Sequence, residues 1–251
     1  MATTIPVGNG RLILDNNLGN AITSTPSNDT IYGYAGNDTI DGGGKGGVER
    51  LFALDSMEGG SGGNDYIDGG IGNDLIFGTG GNDTIIGGAG NDTIFDFDGA
   101  NLLIGGSGND SILAFGVDTV IGGTGADTLR LGFFSTQKVQ YNSPTEGDVL
   151  EQIFDFIPSN AGGEAAPTPD KFLISGSGFG GSLVVGTLPS TQFLAGAGVT
   201  SATTSAQRFL FNTIDFTLRF DRDGTGALAP VFIATLDGSA STLAAADFTI
   251  F

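Results

Sequence analysis

The sequence contains no cysteine, no histidine and no tryptophan, and only nine basic residues among 251. The absence of cysteine excludes a disulfide framework and any thiolate metal site. The absence of histidine removes the usual zinc ligand and the usual general base, so no serine has an imidazole to activate it. With 28 acidic residues against 9 basic ones, the net charge is −19. No basic patch exists to displace the counterions of a phosphate backbone, which excludes nucleic acid as a partner. No run of about 20 apolar residues is present, so no membrane span is expected. The opening stretch MATTIPVGNGRLILDNN has neither the charged segment nor the apolar segment of a cleaved export signal, and export, if it occurs, is expected to use another route.

Glycine is abundant, at 45 residues. Each glycine disfavours a helix interior by about 1 kcal/mol relative to alanine, and helix-period patterns are nearly absent, so the expected class is all-β. The donors left for a metal are carboxylate and carbonyl oxygens, which select hard cations, Ca²⁺ first. An excess of negative charge this large is rarely tolerated in a folded chain without a counter-ion.

Residues 69–95 read GGIGNDLIF GTGGNDTII GGAGNDTIF, three consecutive nonamers with Asn-Asp at positions five and six and Ile at position eight. Aligned on the Asp, the register runs from about residue 24 to residue 130. Sixth positions fall at Asp29, Asp38, Asp65, Asp74, Asp83, Asp92, Asp110, Asp118 and Asp127. Eighth positions fall at Ile31, Ile40, Ile67, Ile76, Ile85, Ile94, Ile112, Val120 and Leu129. Asp38 and Asp65 are 27 residues apart, read here as three repeats that preserve the phase, with Glu49 at an Asp place and Asp55 following. Residues 96–104, DFDGANLLI, carry Asn101 at position six and keep Leu103 at position eight; residues 114–121 lack one residue.

These stretches fit G-G-x-G-x-D-x-U-x, with U a large apolar residue, and the chain resembles the RTX family of calcium-binding nonapeptide repeats over residues 24–130. The resemblance implies a right-handed parallel β-roll, a solenoid resembling a β-helix, that binds several Ca²⁺ ions. It also implies that the ligands are the position-six Asp residues together with backbone carbonyls of the preceding turns. Those carbonyls belong to Gly60, Gly62 and Gly63, to Gly69, Ile71 and Gly72, to Gly78, Gly80 and Gly81, and to Gly87, Ala89 and Gly90. They continue with Gly105, Ser107 and Gly108, and with Gly122, Thr124 and Gly125. The best-matched turns are 69–74, 87–92, 105–110 and 122–127.

The residues support this on their own chemistry. Glycines at positions one, two and four permit positive φ and close approach of chains, and Asn at position five also tolerates the left-handed region. The first six residues therefore read as a turn. The last three are β-branched and apolar and read as a short strand, with position eight pointing inward. Two nonamers make one 18-residue coil, and like turns stack about 4.8 Å apart. The expected acid rows are Asp29, Asp65, Asp83, Asn101, Asp118 and Asp38, Asp74, Asp92, Asp110, Asp127. Two carboxylates about 5 Å apart repel by roughly 3 kcal/mol at an effective dielectric of 20, comparable with the burial of one Ile. A divalent cation between turns reverses that repulsion.

Residues 1–23 are expected to be a lead-in strand or cap, and residues 131–251 a β-rich cap. In the latter, KFLIS, SLVVG, QRFLFN, FTLRF and VFIATL read as strands, and FTLRF-DRDGTGALAP-VFIATL as a hairpin. Its turn holds Asp221 and Asp223 in a D-x-D-G arrangement that suits either a further Ca²⁺ loop or a plain Asx turn. The pattern from DKF to DFTIF resembles the unit that ends many RTX proteins. That resemblance implies an uncleaved tail read by type I secretion machinery, and hence a secreted or cell-surface location; a plain final edge strand is the alternative for DFTIF. No enzyme is expected, since Glu146, Glu151 and Glu164 fall in expected loops without partners. The expectation is a calcium-folded structural or surface protein that self-associates into a layer or filament. The alternatives are a surface binding module for carbohydrate or adhesion, and an export and folding appendage of a separate enzyme. Position three varies too much for the regular Thr row that ice binding wants.

Overall fold

The computed structural model describes residues 3–7, 10–14, 21–23, 30–32, 39–41, 50–52, 63–78, 80–132, 135–144, 146, 151–159, 169–180, 182–238 and 242–251. Two compact units divide the chain, Met1–Gly123 and Thr124–Phe251. Among the described residues no helix is long and apolar enough to cross a membrane.

The first unit is a parallel β-roll with two strands per coil. One sheet stacks Gly10–Leu14, Thr30–Tyr32, Arg50–Phe52, Leu75–Phe77, Thr93–Asp96 and Ser111–Ala114. The other stacks Ala21–Thr23, Thr39–Asp41, Tyr66–Asp68, Thr84–Ala89, Leu102–Ser107 and Thr119–Thr124. Thr93 faces Leu75 on one side and Ser111 on the other, each 18 residues away, as two nonamers per coil require. Position eight faces inward throughout this unit, and every such residue from Ile31 to Val120 is at most 1% exposed. That burial, about 1.5–3 kcal/mol per side chain, repeats once per nonamer and supplies the apolar core.

Two features extend or correct the sequence reading. The coil begins earlier than residue 24, because Ile13 pairs with Ile31 and Ile22 with Ile40; only the acids are missing there. The N-terminal strand Thr3–Val7 then pairs antiparallel with Gly10–Leu14. The second feature overturns the assumed phase across residues 42–62. Thr39 pairs directly with Tyr66, so 27 residues close one coil. Thr30 pairs with Arg50 and Arg50 with Leu75. The chain makes one strand, Arg50–Phe52 with Leu51 buried, between Asp41 and Tyr66. A surplus equal to one whole nonamer keeps the spacing in phase but exchanges the sides of the roll. The strand after Asp38 therefore lines up with the strand after Asp65, and the strand after Asp29 with those after Glu49 and Asp74. Asp29, Asp38, Glu49, Asp55, Gly60 and Gly62 themselves lie outside the described residues.

The second unit keeps the parallel ladder after the nonamers end. Thr128–Leu131 pairs with Gln152–Phe154, which pairs with Val231–Leu236. On the other side Lys138–Tyr141 pairs with Lys171–Ile174, which pairs with Phe248–Ile250. The expected hairpin forms between Thr217–Phe220 and Val231–Leu236, with a bulge at Leu218/Arg219. Its core is aromatic. Phe172 stacks between Phe156 and Phe248 at 4.6 and 5.0 Å, and Phe209 sits 4.9 Å from Phe248. SLVVG is not the expected strand: Val184 and Val185 are exposed, Ser182 has φ 63°, and only Gly186–Thr187 pairs. The DFTIF strand is internal rather than an edge, since Phe248–Ile250 has Lys171–Ile174 on one side and Gly186–Thr187 on the other.

Candidate metal centre

Each turn of the roll ends in an Asp that looks forward one coil. Asp74 N donates to Asp92 Oδ1 at 2.8 Å and Asp92 N to Asp110 Oδ1 at 2.8 Å. On the opposite side Asp65 N donates to Asp83 Oδ1 at 2.9 Å, Asp83 N to Asn101 Oδ1 at 2.7 Å, and Asn101 N to Asp118 Oδ1 at 3.0 Å. The position-five asparagines look back instead: Asn91 N donates to Asn73 Oδ1 and Asn109 N to Asn91 Oδ1, both at 2.7 Å. None of these asparagines has positive φ; among the described residues only Asp155, Ser182 and Phe216 do so without being glycine. The expectation that Asn serves the left-handed region is therefore corrected. Its amide ties one coil to the next.

With Oδ1 committed to the ladder, Oδ2 turns into the bend. A Cβ placed on Gly69 would lie 2.5 Å from Gly87 O and 2.7 Å from Asp74 Oδ2. One placed on Gly87 would lie 2.5 Å from Gly105 O and 2.6 Å from Asp92 Oδ2. Gly105 repeats the arrangement with Gly122 O and Asp110 Oδ2. A carboxylate oxygen and a carbonyl oxygen thus face one small space per coil, and a side chain at position one would fill it. Position four builds a second column, where Gly72 O faces Gly90 and Gly90 O faces Gly108. The position-three carbonyls are turned along the ladder, with Ala89 O accepting from Gly72 N and Ser107 O from Gly90 N, both at 2.8 Å. Ile71 bridges to Ala89 in the same direction.

The opposite row is less regular. Gly78 faces Asp83 Oδ2 and the side chain of Asp96, Gly63 O and Gly81 O face the next coils, and Gly80 stands in open space. In the second unit Thr124 is exposed, Gly125 has φ 131°, and Asp127 is buried.

The acids are almost wholly removed from water. Asp92 is 1% exposed and its Oδ2 has no hydrogen-bond partner; burial first, and the neighbouring Asp74 charge after it, push its carboxyl up to about 6. Asp96 is pushed up to about 8 by burial and then by Asp118 and Asp83. Burial likewise raises Asp118, against the hydrogen bonds it accepts. Rows of buried carboxylates that resist ionisation, each with an oxygen aimed at a carbonyl, form the all-oxygen donor set that suits Ca²⁺. Among the described residues no three acidic side chains converge on one point, so carbonyls and water complete any coordination shell.

Sequence reasoning missed two continuations of these rows. Glu151 was expected in a loop without a partner. It is fully buried one residue before Gln152–Phe154, the place Asp127 holds before Thr128–Leu131. Its Oε1 accepts from Tyr141 Oη at 2.6 Å and its Oε2 has no hydrogen-bond partner. Burial raises the pKa values of both groups well above their usual ranges. Asp170 precedes Lys171–Ile174 in the same way, and its Oδ1 accepts from Gln137 N at 2.7 Å, repeating the Asp65–Asp83 bond across a 33-residue step. The surviving signal is an acid two residues before a buried apolar one. Glu146 Oε2 accepts from Asn142 N, and Glu164 lies outside the described residues.

In the hairpin turn Asp221 is buried and accepts from Asp223 N at 3.2 Å. Asp223 Oδ2 accepts from Leu228 N at 3.1 Å, while its Oδ1 is buried without a hydrogen-bond partner. The backbone thus closes an Asx turn.

The RTX calcium-binding nonapeptide repeat family model matches in four copies, at residues 16–44, 59–94, 77–112 and 114–133, together under half of the chain. No curated protein matches. The chain carries RTX nonapeptide repeats, and such repeats bind several Ca²⁺ ions.

Proposed function

We propose that this is a secreted protein whose β-roll folds when it meets Ca²⁺ outside the cell, and that it serves as a structural or cell-surface component without catalytic activity. The observation that carries this is the repeated cradle, a position-one carbonyl against the second oxygen of a buried Asp in coil after coil. Position-six Asp side chains and the carbonyls at positions one and four hold the ions. Where calcium is scarce, buried carboxylates disfavour the roll. Where it is plentiful, each site stabilises it by RT ln(1 + [L]/Kd), about 1.4 kcal/mol at ten times Kd.

An export role for the DFTIF segment accords with this order of events. Phe248 and Ile250 are buried within a sheet, so an exporter such as the type I machinery reads the segment only before the cap folds. Layer or filament formation has its support in the ends of the sheets. Thr3–Val7 terminates one sheet of the first unit and Ala21–Thr23 the other, and terminal strands are templates for pairing with another copy. Electron microscopy with Ca²⁺ and after chelation tests this reading: ordered assemblies that vanish with EDTA support it, and monodisperse particles in Ca²⁺ contradict the assembly role.

One observation favours a surface binding module as the second reading. Phe77, Phe95, Phe97 and Phe115 stack in sequence at 5.0, 6.3 and 5.9 Å, with Phe97 and Phe115 exposed. The large phenylalanines of the second unit are buried instead. Retention on immobilised polysaccharide that is lost in Phe97→Ala would support the module.

A further inference from the structure

The turn at residues 96–101 breaks the repeat twice, with Asp96 at position one and Asn101 at position six. The structure makes these one arrangement. In the regular cradles the oxygen opposite the Asp comes from the position-one residue one coil on, through its backbone carbonyl: Gly87 for Gly69, Gly105 for Gly87. Asp96 stands in that relation to Gly78. Its own carbonyl is taken by Phe115 N at 3.2 Å, and its side chain supplies the oxygen instead. A Cβ on Gly78 would collide with Asp96 Oδ1 and lie 3.2 Å from Asp83 Oδ2.

Asp96 is completely buried, and Oδ1 has no hydrogen-bond partner. Oδ2 accepts from Asn101 Nδ2, which also donates to Asp118 Oδ1 at 2.9 Å and Asp98 O at 3.2 Å. Asn101 is therefore the residue that fits: its amide group holds two carboxylates while its oxygen still takes the ladder bond from Asp83 N. An Asp at that place would set a further negative charge against Asp96. The acid lost from position six is recovered at position one, one coil on from Gly78.

We infer that Asp96 and Asp83 form a cation site distinct from those of the regular turns, holding two carboxylates where the others pair one carboxylate with a carbonyl. Ligand charge count sets calcium affinity, so this site fills first as calcium rises and anchors the middle of the roll. The inference rests on the calcium reading above and adds to it a specific order of filling.

The test is calcium uptake by the full chain, titrated against a chromophoric chelator, with circular dichroism recorded in parallel. The wild-type chain is expected to take up one ion about tenfold more tightly than the rest. Asp96→Gly restores the position-one residue of the neighbouring coils and is expected to abolish that tight class while the β signal at saturating Ca²⁺ persists. If Asp96→Gly fails to fold, Asp96→Asn, which keeps the side-chain volume, is expected to show the same loss. A tight class unchanged in either variant overturns the inference and leaves the calcium reading intact. A wild-type chain that takes up no calcium overturns both.

Discussion

Gly87 lies outside the left-handed region, so its missing side chain is explained by space and not by conformation. A methyl group there would sit 2.5 Å from Gly105 O and 2.6 Å from Asp92 Oδ2, filling the cradle without changing any charge. Gly87→Ala is therefore expected to lower calcium uptake by one ion and raise the calcium midpoint of folding, as measured by chelator competition. Gly90 differs, with φ 140° and Gly72 O against it; there both strain and contact forbid a side chain. At the same scale, Tyr141 Oη is the hydroxyl bonded to the buried Glu151. Tyr141→Phe leaves a buried carboxyl short of a partner and is expected to cost about 1–3 kcal/mol, read as a lower melting temperature. An unchanged melting temperature would mean that water or a cation already serves Glu151.

Among the elements, the strand triplets were legible because position eight recurs every nine residues and must be inside. Ile94, fully buried in the strand Thr93–Asp96, is expected to lose about 2–5 kcal/mol on replacement by Ala, measured by denaturation in Ca²⁺. The rows of acids were legible where spacing stayed at 18. They failed where it did not. A surplus of one nonamer before Tyr66 preserved the count and exchanged the sides, which no periodicity can reveal. Glu151 and Asp170 were hidden because the coils that lead to them take 24 and 33 residues, and a loop of that length erases the glycines that mark a turn. Asp96 was hidden because it stands at a glycine position.

The rows also set a pH dependence. Asp92 and Asp96 have folded pKa values of about 6 and about 8, above their ordinary value of 3.8. The calcium-free roll therefore holds more protons than the unfolded chain between about pH 4 and pH 8, and its stability falls as pH rises through that window. Circular dichroism of the chelated protein should show more β structure at pH 5 than at pH 8, and calcium binding near neutral pH should release protons. A β signal that grows with pH in EDTA would contradict this.

For the whole molecule, a net charge of −19 on 251 residues and the concentration of acids into buried rows make folding and cation binding one equilibrium. The apolar core, one large side chain per nonamer, is too thin to offset a column of like charges in addition to the entropy of ordering so many glycines. The second unit, with its phenylalanine core, depends less on ions. The measurement that bears most directly on this is far-ultraviolet circular dichroism of the purified chain in EDTA at neutral pH, followed through a calcium titration and back again with chelator. The account predicts little β signal from the repeats in EDTA and a cooperative, reversible gain on adding Ca²⁺. A full β signal in EDTA, unmoved by calcium, would contradict it.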